Sequence, residues 1–286
     1  MRRYIYFVFL LCCAVNLLLT SCVRQKYVVM DMVHHNPGEA MTESKFLDPS
    51  FLKKNEYGAK VFFLFEAAQF GIDWKSFDPS LFPDTTEAGR WVAEKAEIIH
   101  KKYDAAKKED LQVYCMLDML VLPSLLVEKH RTELTNEQGK LDISKPYTQL
   151  CIRELMKEMF ETFPQLDGLV IRTGETYLHD APYYVGNHPV QNGMYDHITL
   201  INLLREEVCE RRNKKLFYRT WDMGQLHSIP KYYLSVTDSI EPHPNLYFSI
   251  KHTMTDFWRS TITDPDMNYN IMDKYWFRSI ILKKGK

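Results

Sequence analysis

The stretch Leu166-Asp167-Gly168-Leu169-Val170-Ile171-Arg172-Thr173-Gly174-Glu175 sets the fold class. Its first half is a short apolar run behind an Asp-Gly turn, the pattern of a strand buried on both faces of a sheet. Its second half is polar, so Arg172 and Glu175 stand where that strand ends. In α/β barrels the C-terminal edge of the strands carries the chemistry. An Arg-x-x-Glu spacing by itself describes a surface ion pair. Here the carboxylate follows a strand directly, and Tyr177, His179, Tyr183, Tyr184, Asn187 and His188 come after it. Functional groups collect on such loops when a rigid scaffold holds them.

Similar units lie on either side. Val61 to Phe65 reads as a strand running into Glu66-Ala67-Ala68-Gln69-Phe70. A turn-rich loop then leads to Thr85-Thr86-Glu87-Ala88, which opens a helix with Trp91, Val92, Ala96, Ile99 and Tyr103 at helical spacing. Gln112 to Met116 is the next strand, with Asp118 just past its end, and the apolar run Leu120 to Leu126 is broken by Pro123. Asp142, Ser144 and Pro146 open a second helix on the pattern of a cap followed by proline. Leu150, Ile152, Leu155, Met159 and Phe163 supply its buried side.

After the quoted strand, Ile198, Ile201, Leu204 and Val208 mark a third helix. It closes in Arg211, Arg212, Lys214 and Lys215, cations that suit a helix C-terminus. Leu216 to Arg219 is a strand followed by Thr220, Trp221 and Asp222, and Leu246 to Ile250 is a strand carrying Lys251 and His252 at its end. This alternation predicts an α/β fold with a parallel sheet, and the number of cycles favours a (β/α)8-type TIM barrel over a doubly wound sheet. A complete barrel takes about 250 residues, and five strong strands are legible. The barrel is therefore expected to be incomplete, with its last strands missing.

The N-terminus carries a different signal. Arg2 and Arg3 precede an apolar run from Tyr4 to Leu19 that leads into Leu19-Thr20-Ser21-Cys22. A positive start, a short apolar core and small residues before a cleavage point make a secretory leader. Cys22 falls where a bacterial lipoprotein signal, which this resembles, places its acylated cysteine. The expected organisation is a leader and lipidation site over 1–22, a tether over 23–54 and a barrel domain over 55–286. His34, His35, Asn36, Pro37 and Gly38 interrupt regular structure within the tether. The mature chain is expected at the bacterial cell envelope, held to a membrane through its lipid alone.

The 286 residues carry a formal charge of −1, so there is no excess of cations to meet the phosphates of a nucleic acid. Cys115, Cys151 and Cys209 remain once the leader is removed, too few and too widely spaced for a disulfide scaffold, and each sits in an apolar pattern. Neither CxxC nor HExxH occurs to indicate a metal, and no Gly-rich phosphate loop indicates a nucleotide. No metal and no cofactor are expected.

What remains are the strand ends: Glu66 with Gln69, Asp118, Arg172 with Glu175, Arg219 with Trp221 and Asp222, and Lys251 with His252 and Asp256. Five such clusters on one edge describe a cleft lined with carboxylates, cations and rings. That composition suits an oligosaccharide or polysaccharide, whose rings stack on aromatics and whose hydroxyls take hydrogen bonds. Two carboxyl groups flanking a sugar perform glycoside hydrolysis. Glu175 and Asp256 are the catalytic candidates, and Arg172, Arg219, Trp221, Lys251 and His252 are the candidate substrate contacts.

Asp167-Gly168-Leu169-Val170-Ile171-Arg172-Thr173-Gly174-Glu175 resembles the strand of microbial α-glucuronidases in which a buried run ends in a cation and then the general-acid glutamate. Ile250-Lys251-His252-Thr253-Met254-Thr255-Asp256-Phe257 is similar to that family's later segment, and Leu216-Phe217-Tyr218-Arg219-Thr220 to its strand ending in arginine. The resemblance runs from about Val113 to Phe257. It implies an inverting barrel hydrolase in which Glu175 protonates the leaving oxygen and Asp256 helps activate water. The sequence departs from the family in having Arg172 in place of lysine, one residue closer to the glutamate, and in lacking a matching later Glu-Phe-Gln. Two other readings stand beside it: a glycan-binding surface lipoprotein or inactive remnant, and a hexosaminidase-like barrel enzyme, whose adjacent Asp-Glu pair does not occur here.

Overall fold

The structure, a computed structural model, describes residues 30–31, 44–63, 66–174, 176, 178, 180–219, 226 and 229–249. Their strands are β1 (Met30–Asp31), β2 (Ala59–Phe62), β3 (Gln112–Asp118), β4 (Val121–Pro123), β5 (Leu166–Arg172), β6 (Tyr184–Gly186), β7 (Lys215–Arg219) and β8 (Leu246–Ser249). The helices are α1 (Pro49–Lys54), α2 (Glu87–Lys108), α3 (Ser124–Lys129), α4 (Arg131–Leu134), α5 (Pro146–Thr162), α6 (Met194–Leu204) and α7 (Pro230–Thr237), with a π-helical turn over Arg205–Glu210 continuing α6.

Buried backbone must find partners, and the apolar strands find them in one another. Six of them form one parallel sheet in the order β1-β2-β3-β5-β7-β8, while β4 and β6 make a short antiparallel pair. The order follows the chain without reversal. Right-handed crossovers then place the connecting helices on a single face, whereas a doubly wound sheet reverses its order and takes helices on both.

The side chains follow that division. Cys115 and Leu117 of β3, Leu169 and Ile171 of β5, and Leu216 and Tyr218 of β7 share one buried cluster with Ile99 and Tyr103 of α2, Ile152 and Leu155 of α5, and Leu200 of α6. The alternate positions Ala59, Val61, Tyr114, Met116 and Val170 form a second, smaller cluster with Phe63 and Phe217 against it. A helix-free face with a core of its own is how a barrel interior is built. Among the described residues no bond joins β1 to β8, so the sheet is a sequential α/β array of six strands.

Local chemistry explains the elements. Thr86 caps α2 by accepting the Gly89 N–H at 3.0 Å, and Val92, Ile99 and Tyr103 are buried along it as the spacing predicts. The Asp-Gly turn at the head of β5 is a bulge. The register passes from Val113↔Leu166 to Tyr114↔Gly168, leaving Asp167 as the extra residue. Its carboxylate accepts the Val113 N–H at 2.7 Å and meets Lys107. Gly168 is required by contact, because a Cβ there would lie 2.0 Å from the Lys215 carbonyl oxygen of β7. Gly168→Ala must therefore push β5 from β7. It is expected to destabilise the fold by about 1–3 kcal/mol, read as a lower urea midpoint with an unchanged slope.

Several expectations are corrected. The segment 23–54 contains β1, paired to Ala59 and Lys60, and α1, capped by Asp48. The folded unit thus starts before residue 55, in pieces too short to show periodicity. Asp142 does not cap α5; it holds a turn by accepting from the Ser144 N–H and hydroxyl at 2.9 and 2.7 Å, and Pro146 begins the helix after Lys145. Leu150 is 42 % exposed, its place on the buried side taken by Cys151. The run around Pro123 forms β4, whose partner β6 lies in the loop after β5. Cys115, Cys151 and Cys209 are free and buried in the main core, and burial pushes each thiol up to about 12.

Candidate functional site at the strand ends

Parallel strands in register put their last residues side by side. Asp118 pairs with Arg172, Arg172 with Arg219, and Arg219 with Ser249, one row across β3, β5, β7 and β8. Alternation along each strand sets the row on the helix-free face, two residues beyond Met116, Val170 and Phe217. A polar rim thus crowns the small apolar core.

Within the row, the Arg172 guanidinium grips the Asp118 carboxylate with both prongs: Nη2 donates to Oδ2 at 2.6 Å, and Nε donates to Oδ1. The side chains are only 13 % and 8 % exposed, so the fork fixes Arg172 where water screens little. Arg219 is buried, and its Nη1 lies 3.8 Å from the Met116 sulfur, two strands away. Its side chain therefore crosses β5 on the helix-free face. Two guanidinium groups on adjacent strands thus reach one edge of the sheet, and the Asp118 carboxylate binds that of Arg172.

Thr173 and Gly174 follow Arg172. Gly174 has φ 122°, a backbone angle that side chains other than glycine's rarely adopt, and it turns the chain out of β5. The loop beyond is tied to the one after β3: Met119 N–H donates to the Arg172 carbonyl at 3.1 Å, and Leu120 and Asn187 exchange backbone bonds at 2.8 and 3.0 Å.

The segments after the strands also hold buried polar atoms that lack a hydrogen-bond partner among the described residues. They include Gln69 Oε1 and Trp74 Nε1 after β2, Thr176 Oγ1 after β5, and both ring nitrogens of His188 after β6. Leaving such an atom unsatisfied costs about 1–3 kcal/mol, and folded proteins tolerate it where water or a ligand completes the bond. These atoms have no sequence signature beyond their place after a strand.

Of the residues selected from the sequence, Arg172 and Arg219 stand in the row. Glu175, Trp221, Lys251, His252, Asp256 and Cys22 lie outside the described residues, as do Asp222, Tyr177 and His179. Asp118 gains a definite role as the partner of Arg172. Glu66 is corrected: its carboxylate meets Lys102 of α2, on the helix side of the sheet. Among the described residues no group of acidic, histidine and cysteine side chains could hold a metal ion. No described helix is long and apolar enough to cross a membrane.

No protein-family profile and no curated protein matches the chain. Solved structures do resemble its backbone. PbGH5A, a glycoside hydrolase family 5 enzyme from Prevotella bryantii B14, matches with TM-score 0.45 and 11 % identity over 90 % of this chain and 72 % of its own. Dispersin B matches with TM-score 0.42 and 14 % identity over 80 % and 65 %. A GH138 enzyme targeting pectin rhamnogalacturonan II matches with TM-score 0.42 and 15 % identity over 79 % and 25 %. The chain spans less than two thirds of the length of the last two.

Proposed function

We propose that the chain is a glycoside hydrolase of the α-glucuronidase-like barrel type, acting on a glycan outside the cytoplasm. The observation that carries the reading is the row Asp118, Arg172, Arg219 and Ser249 on one edge and one face of a sequential parallel sheet. Glu175 follows Arg172 by three residues and Asp256 follows Ser249 by seven, a sequence proximity that supports assigning both carboxylates to that edge. Glu175 would protonate the leaving oxygen and Asp256 would activate water. An inverting reaction needs about 6.5–9.5 Å between the two carboxyl groups. Arg172, held rigid by Asp118, and Arg219 would orient the sugar, with Trp221, Lys251 and His252 completing the contacts.

The test is to purify the chain from Val23 onward and follow release of glucuronic acid and other sugars from xylan-type and host-type oligosaccharides, with Glu175→Gln as control. Turnover that the substitution removes supports the enzyme. Saturable binding without turnover favours a glycan-binding lipoprotein.

The proposal extends to the cell envelope through the leader and Cys22. Cells fed a palmitate analogue are expected to label the protein, and Cys22→Ala to abolish the label. Persistence of the label in that variant contradicts the lipoprotein reading.

A further inference from the structure

The loop between β6 and α6 holds one residue in place without using its side chain. The His188 carbonyl accepts from Asn187 Nδ2 at 2.9 Å and from Gln191 Nε2 at 2.7 Å. Asn187 is itself bound to Leu141, accepting its N–H at 2.7 Å and donating to its carbonyl at 3.1 Å. Farther along, Asp196 is buried and its Oδ2 accepts the backbone N–H groups of Gln191 and Asn192, each at 2.6 Å. The Asn187 and Gln191 side chains thus fix the His188 backbone, and Asp196 fixes the turn that follows. The imidazole takes no part in this, and both its nitrogens are buried and unpartnered among the described residues.

Backbone pairing places His188 in the fold. Asn187 exchanges hydrogen bonds with Leu120, so His188 comes opposite Met119, the residue after Asp118. Gly186, two residues back and on the same side of an extended chain, packs against Thr176: a Cβ on Gly186 would lie 3.1 Å from the Thr176 methyl. The Thr176 hydroxyl is the other buried polar group here without a partner. Thr176 in turn is four residues beyond Arg172. The two orphaned groups therefore come from two segments that meet above the row of strand ends.

We infer that His188 and Thr176 form a buried subsite beside the row of strand ends that hydrogen-bonds the hydroxyls of a sugar ring. The choice of ligand follows from the donors and acceptors. A neutral imidazole donates through one nitrogen and accepts through the other, and a threonine hydroxyl does both. Such a pair complements the vicinal hydroxyls of a pyranose and offers a carboxylate or phosphate no counter-charge. Burial lowers the His188 pKa below the ordinary histidine value, with Asp196 opposing weakly, which keeps the ring neutral at pH 7.

This subsite rests on the carbohydrate reading, and its test separates the two. The chain, labelled with ¹⁵N in histidine and arginine side chains, is titrated with a panel of methyl pyranosides: glucoside, galactoside, mannoside, xyloside and glucuronoside. At least one is expected to shift the His188 ring nitrogens saturably. His188→Phe is expected to weaken its binding about tenfold, the worth of one lost hydrogen bond, and His188→Gln, which keeps a donor and an acceptor, by less. Thr176→Val provides the same loss without touching the ring, should His188→Phe fail to fold. A glycoside that saturates resonances of Arg172 or Arg219 but leaves His188 unmoved, with His188→Phe binding as tightly as the parent, overturns the subsite and leaves the carbohydrate reading standing. No saturable response anywhere with any glycoside overturns both.

Discussion

Glutamine at position 175 is expected to lower the rate of glycoside hydrolysis by about 10²–10⁴-fold, the range lost when a positioned proton donor is removed. Glutamine keeps the shape and hydrogen-bonding edge of glutamate but has no proton to give. The size of the loss rests on placement. In sequence Glu175 comes three residues after Arg172, which a two-pronged ion pair anchors at the end of its strand. Binding of the same oligosaccharide is expected to change little, so the loss belongs in kcat rather than KM. Equal turnover by the parent and Glu175→Gln would remove Glu175 from the mechanism.

Removing the anchor is expected to act on the fold instead. Asp118→Ala takes the carboxylate from a guanidinium whose side chain is only 13 % exposed. Breaking a buried pair from one side costs about 3–5 kcal/mol, because the remaining charge keeps its desolvation without that partner. Arg172→Met together with Asp118→Ala is expected to cost less than Asp118→Ala alone. The pair is thus coupled, and a double-mutant cycle in urea measures the coupling directly. Additive losses would mean that the two residues stabilise the edge independently.

The fold was largely legible because its strands are parallel and covered on both faces. Such strands must be apolar throughout, so the runs at Gln112, Leu166, Leu216 and Leu246 stand out without alternation. Sequential order was legible only as a number of cycles, and the helix-free face became visible through the residues that share it. The antiparallel pair β4 and β6 was hidden: each has three residues, one strand ends in Pro123, and their partnership joins segments more than sixty residues apart. Sequence also located Arg172 and Arg219 at strand ends. It could not match Asp118 to Arg172, since that match depends on the one-residue bulge at Asp167 that sets the register of β3 on β5. Glu66 shows the opposite failure, a carboxylate after a strand that turns to a helix lysine. The orphaned atoms of Thr176 and His188 are illegible in principle, because lacking a partner is a property of the surroundings and not of the residue.

The most direct test of a sugar site at the strand ends is a crystal structure of the Glu175→Gln chain with a bound oligosaccharide. The sugar is expected over the row of Arg172 and Arg219, on the helix-free face at the C-terminal edge. Position 175 and the Asp256 carboxylate should flank the scissile bond, about 6.5–9.5 Å apart. A sugar bound at the opposite edge or on the helix side, or position 175 facing away from Asp256, would contradict it.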